Sequence, residues 1–238
     1  MSNDVDLFNG TAWYVVFLFS TTLHEASHAL AAFKLGDDTA YRGGQVSLDP
    51  TPHIRREPFG MVIIPIVSYM LGGWMIGWAS APYDPNWARA YPKRAGWMAM
   101  AGPAANLALV LAAAFLIRLG IAVGFFETPD SVGFTHVVGA AHEGIPYLAS
   151  VLLSLMFSLN LLLCVFNLLP VPPLDGSSLP LLFISEDAAV RYWEFMRSPA
   201  VRMVGLVVAW NVFGQLFHPL HLHAINLLYT GLGLHYGP

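Results

Sequence analysis

The chain has 238 residues, of which 56% are hydrophobic and only 11% charged, and its mean hydropathy is +0.57. Soluble domains carry about 25% charged residues, so the composition excludes an ordinary soluble domain and describes one integral-membrane domain, residues 1–238. A net charge of −4 argues against a nucleic-acid partner, and a single cysteine, Cys164, excludes an internal disulfide or a cysteine-based zinc cluster.

In chain order, the early charges are Asp4 and Asp6, with no basic region ahead of the first apolar stretch. That stretch is therefore expected to be a retained helix and not a cleaved signal. Residues 12–33 are long enough to span, since about 20 helical residues cross the hydrocarbon core. Within them lies Leu23-His24-Glu25-Ala26-Ser27-His28, an HExxH pattern. Two histidines four apart share one helix face, and a glutamate beside the first can serve a metal-bound water. Between Thr11 and Lys34 these are the only acid or histidine groups. A carboxylate at membrane depth costs at least ~2.5 kcal/mol, so Glu25 reads as functional.

Residues 41–53 (YRGGQVSLDPTPH) follow. Gly43-Gly44 predicts a turn, Gln45 to Leu48 alternates polar and apolar, and Pro50 and Pro52 stop any helix. This pattern predicts a short exposed strand whose edge could pair with an extended substrate. Segment 59–80 is apolar but carries Pro65 and Gly72-Gly73, which predict a re-entrant excursion. Further spans are predicted at 95–117, 146–168 and 200–217, whereas 219–234 is interrupted by His221, His223 and two glycines. Residues 186–197 read as an interfacial amphipathic helix, and Trp74, Trp78, Trp87 and Trp97 as an aromatic belt. His218, His221 and His223 form a C-terminal cluster without a carboxylate, and no chemistry is assigned to it.

The cations orient these segments. If 59–80 returns to the side it left, ten of the eleven Lys and Arg residues fall on one side, with only Arg118 opposite. The positive-inside rule then sets the N-terminus and the loop 119–145 outside. His24 and His28 lie toward the inner end of a descending helix.

A zinc site that keeps a water needs three protein ligands, and HExxH supplies two. The third candidate comes from Asn167-Leu168-Leu169-Pro170-Val171-Pro172-Pro173-Leu174-Asp175-Gly176. Here an apolar helix runs into prolines and then an acid. Backbone broken in this way is tolerated at membrane depth only inside protein or along a wet cavity. Helix 146–168 descends, so Asp175 reaches the same inner face as the two histidines.

HEASH in the first span, Ala101-Gly102-Pro103-Ala104-Ala105-Asn106 in a middle one and NLLPVPPLDG in a later one resemble the site-2 protease family of intramembrane zinc metalloproteases. The resemblance covers residues 12–185, leaving 186–238 as C-terminal helices, and is to the compact prokaryotic branch without PDZ or CBS domains. Gly77-Trp78-Ala79-Ser80-Ala81-Pro82 resembles a loop of that branch in which lysine is common at the position of Ser80. The resemblance implies zinc on His24, His28 and Asp175, Glu25 as catalytic base, and a membrane-associated hairpin between the first spans. An amide donor to the developing oxyanion is expected from Asn167 first and Asn106 second.

The expected fold is therefore an all-α polytopic membrane protein of about five to six transmembrane helices, with a re-entrant segment and a short β-hairpin. The expected function is a zinc-dependent intramembrane endopeptidase, with one zinc ion, acting on transmembrane protein substrates in the plasma membrane of a prokaryote with its site toward the cytoplasm. The alternative is a transporter or receptor with a structural zinc site. Glu25 argues against it, because a closed structural site needs no free carboxylate beside the metal. Substrate identity and oligomeric state are not legible in the sequence.

Overall fold

The computed structural model describes residues 6–237, so Asp4 lies outside the described residues. Helix α1, Leu7–Leu35, starts where the Asp6 side chain accepts the Asn9 backbone N–H (3.0 Å), and it ends at Gly36 in the left-handed conformation. At 29 residues it is about 43 Å long, more than a bilayer core requires. Two short helices follow, α2 (Thr39–Arg42) and α3 (Thr51–Arg56).

The hairpin expected between them is not formed: residues 45–48 make no strand pairing. The alternation there marks a loop whose polar groups are satisfied locally. Ser47 Oγ accepts the Asp49 N–H, Asp49 accepts the Thr51 N–H, and the Ser47 carbonyl lies 3.1 Å from Nε2 of the buried His53. Gln45 is also buried and donates to the Ser80 carbonyl.

The apolar segment after α3 begins as a π-helical turn, Phe59–Ile63, and continues as α4, Ile64–Gly72. It turns at Gly73 and returns through the irregular stretch 75–84. Tyr69 donates to the Asp6 carbonyl beside the start of α1, whereas Ser80 donates to Glu57 at the other end, so the excursion closes on itself. Helix α5 (Pro85–Ala90) leads into α6 (Pro92–Ala122). The loop beyond α6 contains the paired strands β1 (Phe126–Glu127) and β2 (Gly139–Ala140), antiparallel with Phe126 opposite Ala140. Then come α7 (Ile145–Asn167), a 3-10 helix (Asp175–Leu182), α8 (Glu186–Met196) and α9 (Pro199–Leu228).

Among the described residues three helices are long and apolar enough to cross a membrane: α6, α7 and α9. Helix α1 has the length, but its buried Ser20, Thr21, Thr22, His24, Glu25 and His28 lower its apolarity. The architecture is thus a mostly α membrane protein with one two-stranded sheet. Of the interruption expected at 219–234, the part at the histidines is absent, because α9 continues through Pro219, His221 and His223 to Leu228, whereas the chain does leave the helix before Gly231 and Gly233, both at positive φ. Where no water can take a freed carbonyl or N–H, the helix is the cheapest backbone state, and one proline does not end it.

Helix α6 is the axis, packed between α1 and α7. Its buried face is built largely of small residues, Ala95, Gly96, Ala99, Gly102 and Ala113, which let backbones approach closely. Its other faces present Leu107, Leu111 and Phe115, as α9 presents Met203, Val207 and Trp210. Exposed apolar side chains of this size suit lipid. At the start of α6, Trp87, expected in an aromatic belt, is instead buried against Ala88 and Ala95. At the other end Val137, Val138, Phe126 and Tyr229 form a core under the β1–β2 loop.

That loop is pinned by the Tyr229 hydroxyl, which donates to the fully buried Val137 carbonyl at 2.7 Å. Tyr229→Phe keeps the ring but leaves the carbonyl without that donor. Thermal unfolding in detergent should show a loss of about 1–3 kcal/mol, the cost of an unsatisfied buried group.

Candidate metal centre

Helical spacing puts His24 and His28 on the face of α1 that meets α6, and both are buried, as is Glu25. The two Nε2 atoms are 3.0 Å apart. They fit because α6 offers Gly102 at that height: a Cβ there would overlap Nε2 of both histidines. The opposite wall comes from α7. Its helix ends at Asn167, and the proline-rich run carries the chain back to Asp175. Gly176 is required immediately afterwards, because a Cβ there would strike the Leu168 and Leu169 carbonyls. Asp175 Oδ2 then lies 3.2 Å from His24 Nε2 and 3.3 Å from His28 Nε2. The 3-10 helix it opens is tied to α8 by the Tyr192 hydroxyl, which donates to the Ser177 carbonyl. Burial raises the Tyr192 pKa, so the phenol remains a donor at neutral pH.

The far ring nitrogens also have partners. His28 Nδ1 is 2.8 Å from the Met98 carbonyl and His24 Nδ1 is 2.5 Å from Asn106 Oδ1. A carbonyl only accepts, so His28 carries its proton on Nδ1 and turns a bare lone pair inward from Nε2. Asp175 Oδ2 is buried and has no hydrogen-bond partner. Electron-rich atoms held this close repel unless a proton or a cation sits among them. A tetrahedral zinc ion with N and O donors at about 2.0–2.1 Å spaces those donors about 3.3 Å apart. Two imidazoles and a carboxylate are a zinc-type donor set, and the residues fit the ion.

His24, Glu25, His28 and Asp175 line one cavity of about 720 Å³. Asn167 lines it too, with one amide N–H donated to the Leu163 carbonyl and the other free. Stretch 77–83 and, from α9, Arg202 and Leu206 complete the walls. Ser80, the residue at the lysine position of the resembling loop, accepts from Arg56 and donates to Glu57. Asn106, by contrast, is fully buried outside the cavity, with its oxygen on His24 and its nitrogen on Asn160. Its oxygen and one of its amide N–H groups are therefore engaged away from the cavity. Asn160 was not singled out by the sequence reading, although polar residues inside an apolar span, here Ser20, Asn106 and Asn160, were the available signal. The C-terminal histidines do not converge. His221 is buried against Ser158 (2.8 Å), while His218 and His223 are exposed.

A family model for Peptidase family M50 matches residues 12–210. The chain belongs to this family, that of the site-2 proteases. Its relatives include the Bacillus subtilis protein YwhC, provisionally named a zinc metalloprotease, which is 34% identical over 164 residues, covering 68% of this chain and 64% of YwhC. The Rip2 proteins carry the same provisional name. That of Mycolicibacterium smegmatis is 29% identical and that of Mycobacterium tuberculosis strain H37Rv 31% identical, each over 67% of this chain and 52% of the relative. The chain thus aligns with about half to two thirds of these M50 relatives. No solved structure matches it significantly.

Gly102 supplies a test of the site as a metal centre. Gly102→Ala should leave α6 helical, since alanine favours helix, yet push both histidine rings aside. Zinc affinity measured by chelator competition should fall about tenfold or more.

Proposed function

We propose that this M50 protein is a zinc-dependent endopeptidase that hydrolyses peptide bonds in or near transmembrane segments of membrane-protein substrates. The observation that carries the reading is the convergence of His24 Nε2, His28 Nε2 and Asp175 Oδ2 within 3.0–3.3 Å, beside Glu25, in a cavity enclosed by apolar helices. In this reading a single zinc ion is held by His24, His28 and Asp175. Bound there, zinc supplies Lewis acidity that brings water into reach of deprotonation near neutral pH.

The remaining chemistry belongs to the chain. Glu25 follows His24 directly and lines the same cavity, so its carboxylate takes the proton of the attacking water as the C–O bond forms. It then returns that proton to the departing amine as the C–N bond breaks. Asn167 offers its free N–H to the carbonyl oxygen as charge develops there. His24, Glu25 and His28 are buried among the helices, and that low-polarity setting strengthens both interactions. A substrate helix shields its own amides, so the scissile segment has to enter the cavity unwound.

The distribution of cations supports a cytoplasmic orientation of the centre, as do the ends of the 59–80 excursion, which meet at Glu57 and Ser80. A prokaryotic plasma membrane is the setting that the relatives' organisms support.

Glu25→Gln should bind zinc as wild type does while cleavage of a single-span model substrate in detergent falls about 10²–10⁴-fold. In cells the same variant should accumulate uncleaved membrane precursors; undiminished cleavage would overturn the proposal. Asn167→Ala should keep its zinc and lose about 10²–10³ in kcat. An unchanged kcat would remove Asn167 from the mechanism.

A further inference from the structure

A line of buried side chains leads from the metal centre into the middle of the helix bundle, and the mechanism above makes no use of it. His24 Nδ1 meets Asn106 Oδ1 at 2.5 Å, and Asn106 Nδ2 donates to Asn160 Oδ1 at 2.8 Å. Asn160 Nδ2 donates in turn to Ser20 Oγ (2.9 Å) and to the Met156 backbone carbonyl (2.8 Å). Ser20, Asn106 and Asn160 come from α1, α6 and α7 and are each 0% exposed.

The direction of this line is dictated from its far end. A backbone carbonyl only accepts, so the end of Asn160 that faces Met156 is its nitrogen. Its oxygen therefore faces Asn106 and requires a donor. That turns the Asn106 nitrogen toward Asn160 and the Asn106 oxygen toward His24. An amide oxygen only accepts, so His24 carries its proton on Nδ1, and Nε2 is left bare toward His28 and Asp175.

We propose that Asn160, which touches neither the metal ligands nor the cavity, is a positioning residue of the metal centre: through Asn106 it holds His24 in the tautomer and ring orientation that present Nε2 to zinc. His28 needs no such relay because the Met98 carbonyl holds it directly. A carboxylate behind His24 could do the same task, but a second buried anion at membrane depth is costly, and two neutral amides avoid it.

The inference rests on the zinc reading, and the experiment separates the two. In detergent-solubilised protein, zinc affinity is measured by chelator competition, and cobalt(II) absorption reports the ligand geometry. Asn160→Leu should weaken zinc about 10–100-fold and alter the cobalt spectrum. Asn160→Asp, protonated in its buried site, still accepts from Asn106 and donates to Met156, so it should restore both. Because Asn160 acts only through Asn106, the double variant Asn106→Leu/Asn160→Leu should bind zinc no more weakly than Asn106→Leu alone.

Wild-type affinity and spectrum in Asn160→Leu, better binding by Leu than by Asp, or additive losses in the double variant would each overturn the proposal. Should Asn160→Leu not fold, NMR of nitrogen-labelled histidine in zinc-loaded wild type still decides. A proton on His24 Nδ1 is required, and one on Nε2 overturns the relay. Wild-type protein that takes up neither zinc nor cobalt would instead refute the zinc reading itself.

Discussion

Three electron-rich atoms held 3.0–3.3 Å apart, away from bulk water, repel one another unless a positive charge sits among them. Much of the structure can be understood as the framework that keeps them there. Helix α1 supplies two of the atoms through its periodicity. Helix α6 makes room with Gly102 and steadies one ring with the Met98 carbonyl. Helix α7 ends early so that Asp175 can come back toward the other two, and Tyr192 on α8 ties down the segment that carries it.

The setting makes this arrangement demanding. In an apolar helix bundle a polar group that lacks a protein partner has little else to pair with. Several buried polar residues accordingly pair with one another: Ser20 with Asn160, Asn160 with Asn106, Asn106 with His24, and Ser158 with His221. At the metal centre Asp175 Oδ2 is buried without a hydrogen-bond donor. The relatives of this M50 chain carry provisional zinc-metalloprotease names, which supports zinc as the ion for this donor set.

The same logic explains what could be read from the residues and what could not. HExxH and the proline-rich run before Asp175 were legible because acids and broken backbone are costly in an apolar chain, so their presence asks for a reason. The loop at 41–53 misled, because strand-like alternation at Gln45–Leu48 cannot reveal that Gln45, Ser47 and Asp49 bond locally and to Ser80. The C-terminal histidines suggested a break that α9 does not make, because helix is the state in which a chain among lipids satisfies itself, whereas the glycines do follow the helix end at Leu228. Trp87 looked like the other tryptophans in sequence and differs from them by being buried where α5, which carries it, packs against Ala95 of α6.

The sequence by itself determined the membrane class, the HExxH pair and the candidate third ligand. These follow from composition, period and charge, which are local properties. Only the tertiary structure decided that His24, His28 and Asp175 meet, that Asn167 borders the cavity while Asn106 stands behind a histidine, and that Asn160 completes the line. Those facts depend on the relative depth and rotation of α1, α6 and α7. Packing against small residues such as Gly102 sets both, and no stretch of one helix encodes either.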